Sequence, residues 1–307
     1  MMRHGLCSTV ADAGDSPQAI FNCLGLTAIA AVILLAGVAA RSDDAPKADA
    51  DRDAARQASA ARLKLMRRRV MSLTAEFETT DGLAKAELIE TPLLRYSNPA
   101  ARIVTLDAAV WAWGRVGRPV ALASVEESGC EIVSLADQAV SLTGKSGLKW
   151  APTTTEIRWQ IVSDVPPPAD AAAVRARQMK EIAKGFSATG HYGKGEENLE
   201  LRLLDRHLHR YANPEGGLID GAIFAFVAGT NPEVILLLEC RQVDSKRRGW
   251  FFAFARLSAG ELEARRGNTL VWNCPAITGW VANAPYSVAK FGKEDLVPEG
   301  ELPSDGK

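Results

Sequence analysis

The sequence is poor in the residues that carry most enzyme chemistry. It has four histidines and five cysteines among 307 residues, and neither type falls in a catalytic or metal-binding spacing of high specificity. There is no CxxC pair, no serine-centred nucleophile elbow, no phosphate-binding glycine loop and no dinucleotide fingerprint. An excess of either charge is also missing. Lys+Arg 36 stand against Asp+Glu 37, a formal net charge of -1, which removes the basic footprint of a dedicated nucleic-acid binder. Long apolar runs are confined to one, so a multi-span membrane protein is excluded. The rest is ordinary globular composition, 47% hydrophobic and 24% charged, with more chain than a single core needs, so two domains are expected.

The one apolar run, Leu24 to Ala40, has no charge and ends in Val38-Ala39-Ala40, with small residues where signal peptidase needs them. Residues 1–40 are therefore expected to be a signal peptide cut after Ala40, or a membrane anchor if uncut. Ile20 to Ala40 is long enough to span a bilayer. The charges after it, Arg41, Lys47, Arg52 and Arg56, would hold that side in the cytoplasm if it were an anchor. The expected location is the periplasm or cell envelope, with membrane contact only through this segment. Cys7 and Cys23 fall in or before it, leaving Cys130, Cys240 and Cys274. An odd number cannot all pair within one chain. One bridge, with Cys240 and Cys274 the better couple, and buried free thiols are the alternatives.

Residues 41–60, rich in Ala, Asp and Arg, predict a disordered, solvated linker. A second break is Pro-rich: Pro166-Pro167-Pro168 forbids helix and ladder and sets a stiff connector over 163–172. The flanking stretches, 61–162 and 173–280, resemble each other at an offset of 113 residues. Asp107 to Glu126 matches Asp220 to Glu239 without a gap, with five identities in 20 positions where about one is expected from average usage. Arg95-Tyr96-Ser97-Asn98-Pro99 matches Arg210-Tyr211-Ala212-Asn213-Pro214 with a two-residue slip.

Each half opens with a helical stripe, Leu63, Met66, Val70, Leu73 and then Ala176, Met179, Ala183, Phe186. Apolar runs flanking Gly-Thr-Asn-Pro at 229–232 spell a hairpin, and a further strand follows in Trp250 to Ala255. The expected fold is α+β: two tandem homologous lobes, each an N-terminal helix packed on an antiparallel meander of about five strands, followed by an irregular tail over 281–307. The near-continuous apolar runs Ile223 to Val227 and Val234 to Leu238 predict strands covered on both faces, one by the helix and one by the sibling half.

Leu201-Arg202-Leu203-Leu204, Arg210-Tyr211, Asp220 to Val227 and Gly229 to Val234 resemble a bacterial family of exported, signal-bearing proteins with no established function. The resemblance covers the second half well and the first loosely. It implies export and an internal repeat, and carries no activity.

Three constellations are candidates for chemistry. His207-Leu208-His209 would present two imidazoles on one strand face, with His191 or Asp205 as third ligand of a zinc site; the competing reading is surface histidines on an edge strand. Arg95-Tyr96 and Arg210-Tyr211 could offer a guanidinium fork and a phenol to an anionic or sugar ligand, or serve the fold through ion pairs and packing. Asp107 and Asp220 evoke the two carboxylates of aspartic proteases, but lack the following Thr or Ser. The basic helix faces, Arg62, Lys64, Arg67, Arg68, Arg69 and Arg175, Arg177, Lys180, Lys184, could meet an anionic partner or simply be solvated. The reading that follows is a non-catalytic exported protein binding an unknown envelope partner or anionic ligand, without a cofactor. A metal-dependent hydrolase at His207/His209 and a structural envelope component are the alternatives.

Overall fold

The computed structural model describes residues 44–98, 105–192, 198–277 and 281–302. The apolar segment Leu24 to Ala40, its cleavage site, Cys7 and Cys23 lie outside them. No helix among the described residues is long and apolar enough to cross a membrane.

The fold is α+β, with two α-helices and mostly antiparallel strands among the described residues. Helix α1 (Asp44–Met71) is followed by β1 (Thr74–Thr79), β2 (Gly82–Ala86), β3 (Leu94–Asn98), β4 (Thr105–Trp113), β5 (Ala121–Val125), β6 (Gly129–Ser134), β7 (Val140–Thr143), β8 (Lys149–Trp150) and β9 (Gln160–Ile161). Helix α2 (Ala172–Lys184) leads to β10 (Phe186–His191), β11 (Leu199–Leu203), β12 (His209–Asn213), β13 (Leu218–Ala228), β14 (Asn231–Gln242), β15 (Arg248–Arg256), β16 (Glu261–Arg266), β17 (Thr269–Cys274) and β18 (Tyr286–Lys290).

The predicted linker is helical from Asp44 onward, a correction with a local cause. Alanine has the best helix propensity, and the salt bridges Asp49–Arg52 and Asp53–Arg56 lie one turn apart. Asp49 to Ala58 is exposed throughout. Only where Leu63, Met66 and Val70 begin does the helix gain a buried face.

Strands β3 to β6 and β12 to β15 run as meanders, as the hairpin signals predict. The β13–β14 turn places Gly229 at φ +63, a conformation glycine adopts without strain. Further strands pair at long range, β1 with β7 and β10 with β16, where no local turn marks them. Three sheets result, ordered β2-β1-β7-β8, β18-β6-β5-β4-β3 and β17-β16-β10-β11-β13-β14-β15-β9, with β12 also on β13.

Alternate side chains of the central strands serve different cores. Ala109, Trp111 and Trp113 of β4 pack with Met66 and Val70 of α1, and Phe224 and Phe226 of β13 pack with Met179 and Ile182 of α2. The intervening residues, Ala108, Val110 and Ala112 against Ile223, Ala225 and Val227, meet each other in a third core between the sheets. Burial on both faces explains why these strands read as unbroken apolar runs. Cys130, Cys240 and Cys274 are buried free thiols, and burial pushes the latter two up to about 11.

The tail expected to be irregular contains β18, which pairs with β6 along its length. Beyond it, Arg68 donates to Val297 O at 2.7 Å, Arg69 donates to Gly292 O at 3.1 Å, and its guanidinium lies 5.1 Å from the Phe291 ring centroid. These arginines of α1 therefore hold the carboxy-terminal segment. Asp295 is buried and accepts from the Ser146 and Gly292 amides and from the Ser146 hydroxyl. Burial alone would raise its pKa, but these hydrogen bonds outweigh it and hold the carboxyl below its ordinary value.

Asp295→Ala removes acceptors from buried donors and is expected to cost about 2–3 kcal/mol in urea unfolding at pH 7. A depressed carboxyl stabilises above its unfolded pKa, so the gap between variant and wild type closes as pH falls below about 4.

Candidate functional site

In each of the two Arg-Tyr pairs the arginine belongs to a clamp between helix and sheet. Asp107 accepts from Arg62 of α1 at 3.3 Å and from Arg95 of β3, whose second contact is Ser59 O at 2.6 Å. Asp220 accepts from Arg175 of α2 at 2.9 Å and from Arg210 of β12 at 2.6 Å, and Arg210 also donates to Ala172 O. Each carboxylate thus ties a helix to the sheet it packs on. Burial would raise Asp107, yet its bonds to Arg95 and Arg62 hold it below the ordinary range. Bound to separate arginine pairs, the two aspartates do not form a protease dyad.

The tyrosines beside these arginines point into the seam between the sheets. Tyr96 shares a 2.8 Å hydrogen bond with Ser124, and Tyr211 donates to Glu239 Oε1 at 2.9 Å. The Tyr211 ring lies where a Cβ on Gly221 would stand, so only glycine fits opposite it. Asn98 donates across the seam to Ala228 O at 3.1 Å. Glu239 also takes Arg118 and Arg241, whose guanidinium groups lie 4.8 Å and 3.8 Å from the Trp159 ring centroid. One end of the seam is closed by this charged aromatic stack.

Of the three histidines His191 stands apart from the other two. His209 begins β12 and stacks on Tyr211 at 6.3 Å, while exposed His207 meets Phe224 edge-on at 6.1 Å. Partial burial lowers both pKa values, helped by Arg210 at His207 and by His207 at His209. His191 ends β10 opposite Glu261 of β16 and does not join them. Among the described residues no three His, Cys, Asp or Glu side chains are grouped to hold a metal, so the expected third ligand is not in place. His191 instead lines a recess of about 220 Å³ with Thr189, Gly190, Asn198, Glu261 and Glu263.

The opposite end of the seam was not foreseen. Glu131 of β6 accepts from the Tyr286 hydroxyl of β18 at 2.6 Å. Glu233 of β14 is buried, takes Asn231 Nδ2 at 2.7 Å, and leaves Oε2 without a bond of good geometry beside Tyr192. Arg256 is also buried, but its guanidinium donates to the carbonyls of Ser258, Pro275 and Gly260. Burial pushes Glu131 up to about 7, reinforced by Glu233 and Glu126 and opposed by the Tyr286 bond and Arg256. Burial likewise raises Glu233 and Glu156. A charged residue inside an apolar strand, as in Glu233-Val234-Ile235 or Phe254-Ala255-Arg256, was the available signal.

No known protein family, characterised protein or solved structure matches this chain.

The two clamps differ in depth, because Arg175 is buried whereas Arg62 and Arg95 are partly exposed. Asp220→Asn is therefore expected to cost about 3–5 kcal/mol, leaving a buried guanidinium without its counter-ion. Asp107→Asn should cost clearly less in the same denaturant titration.

Proposed function

We propose that this is a non-catalytic interaction protein of the bacterial cell envelope, exported by its amino-terminal segment and built from two tandem homologous lobes, 61–162 and 173–280. The observation that carries the interaction reading is the state of the sheet edges. Leu83 on β2, Ile161 on β9, Leu270 on β17 and Val288 on β18 are 73%, 70%, 44% and 36% exposed, and each of these strands is the outermost of its sheet. An aliphatic side chain beside unpaired backbone groups is the surface to which a partner strand adds.

The duplication is supported by register. Arg95 opposes Ala109 as Arg210 opposes Ala222, and Trp111 opposes Ala123 as Phe224 opposes Leu236. Both β3–β4 and β12–β13 carry an irregularity at the same place, between Tyr96 and Asn98 and between Tyr211 and Asn213. The outer strands agree as well: Ala75 opposes Leu142 and Leu142 opposes Trp150, as Ala188 opposes Ala264 and Ala264 opposes Trp272. The helix clamps correspond down to the carbonyls of Ser59 and Ala172.

The test is a photoreactive side chain placed at Ile161 or Leu270 of the full chain in its native cell, with fractionation. Recovery in the envelope with a discrete crosslinked protein, lost when the neighbouring edge residue is changed to Lys, is the expected result. Recovery in the cytoplasm overturns export, and no adduct at any of the four edge positions overturns the interaction reading.

A further inference from the structure

One of the four exposed sheet edges differs from its counterpart in the other half. The longest sheet curls until its outermost strands, β9 and β17, come side by side: Gln160 Nε2 donates to Val271 O at 2.9 Å, and Arg266 donates to Ser163 O and Oγ. In the amino-terminal half β8 takes the place of β17, and the chain entering β18 takes that of β9. There the joint is closed by the backbone, with the Ala151 amide donating to Ala282 O at 2.8 Å and the Thr153 amide to Asn283 O at 3.1 Å. The Trp150 indole adds a bond to Ala284 O at 2.8 Å. Between β9 and β17, the hydrogen bonds found among the described residues come from side chains alone.

Backbone groups are left open on the β9 side. The Val162 amide donates to Trp250 O at 2.9 Å, so Val162 faces β15, and the residue before it turns its amide and carbonyl the opposite way, into the joint. That residue is Ile161, whose side chain is 70% exposed, and Leu270 across the joint is 44% exposed. On β17, Val271 is the extra residue of a bulge, and its carbonyl is the one that Gln160 takes. The charges around the joint are Arg158, Arg265 and Arg266, against Glu263, held by Arg265 at 3.3 Å, and Asp164 just beyond β9. We propose that this joint is where a partner strand adds, and that the partner is an extended protein segment in which acidic side chains alternate with aliphatic ones, the spacing that puts one kind on each face of a strand. The segment pairs its backbone with Ile161 in place of the Gln160 latch, its aliphatic side chains cover Ile161 and Leu270, and its carboxylates meet Arg158 and Arg266. The site rests on strand addition as the mode of interaction and narrows it to one joint.

The probe is the peptide acetyl-Val-Glu-Val-Glu-Val-Glu-Val-amide, with a twin in which lysine replaces glutamate, each titrated into the full chain and read by amide hydrogen exchange. The acidic peptide should slow exchange at Ile161 and bind about tenfold tighter than its twin, the worth of two or three exposed ion pairs. Arg158→Glu, at an exposed position, should erase that preference. Gln160→Ala, which removes the latch, should tighten binding of the acidic peptide. Binding of neither peptide, equal binding of both, a preference unchanged in Arg158→Glu, or protection at another edge without Ile161 overturns the site. Crosslinks in the cell at Leu83 or Val288 but at neither Ile161 nor Leu270 overturn it as well and leave strand addition standing, whereas a chain with no adduct at any of the four loses both.

Discussion

The structure depends on burying both faces of its central strands. Once β4, β5, β13 and β14 present apolar side chains on each face, neither half can stop at a helix on a sheet, because its other face would remain wet. The sheets meet through Ala, Val, Ile and Leu, which allow close approach, while Trp111, Trp113, Phe224 and Phe226 fill the wider spaces under the helices. Each fully buried side chain of this kind contributes about 1.5–3 kcal/mol. Everything polar must then be accommodated at the margins of three dry cores.

Charged residues appear where that accommodation is needed. Asp107 and Asp220 sit where helix meets strand and take two arginines each, so the helix is held by directional bonds as well as by a stripe of apolar residues. The seam ends are treated differently. At one, Glu239 is compensated by Arg118 and Arg241 stacked on Trp159. At the other, acids outnumber the available guanidinium, and burial raises the pKa of Glu131 and Glu233. Position in the seam fixes burial, and the local ratio of acid to base fixes which remedy applies.

How much could be read beforehand follows from the range of each interaction. The stripe Met66-Val70, the hairpin at Gly229 and the doubly covered strands were legible because their signals lie within a few residues. The pairing of β1 with β7 was not, since Ala75 and Leu142 are joined only by the folded chain. The Arg-Tyr pairs at 95–96 and 210–211 were visible as like motifs, and in the structure each guanidinium faces a helix and each phenol faces the seam. Glu131 and Tyr286 are 155 residues apart and share no motif, so their meeting was out of reach. The acidic, alanine-rich stretch before Ala61 misled because its composition suits both a solvated coil and a solvated helix.

The two crossings between halves are reciprocal, and this bears on how the chain holds together. After β8 the chain runs on to β9, which pairs with β15, and after β17 it runs on to β18, which pairs with β6. Each sheet is thus completed by a strand that arrives from the opposite side of the connector or seam. The exchange is unequal: β9 contributes two paired residues at Phe251 and Phe252, whereas β18 covers five positions of β6. The longer docking carries the additional anchors at Arg68, Arg69 and Asp295, so the amino-terminal core is finished only when the last part of the chain arrives. The amino-terminal core is therefore joined to the carboxy-terminal segment by a paired strand, two arginine bonds and a buried carboxylate rather than by apolar packing alone.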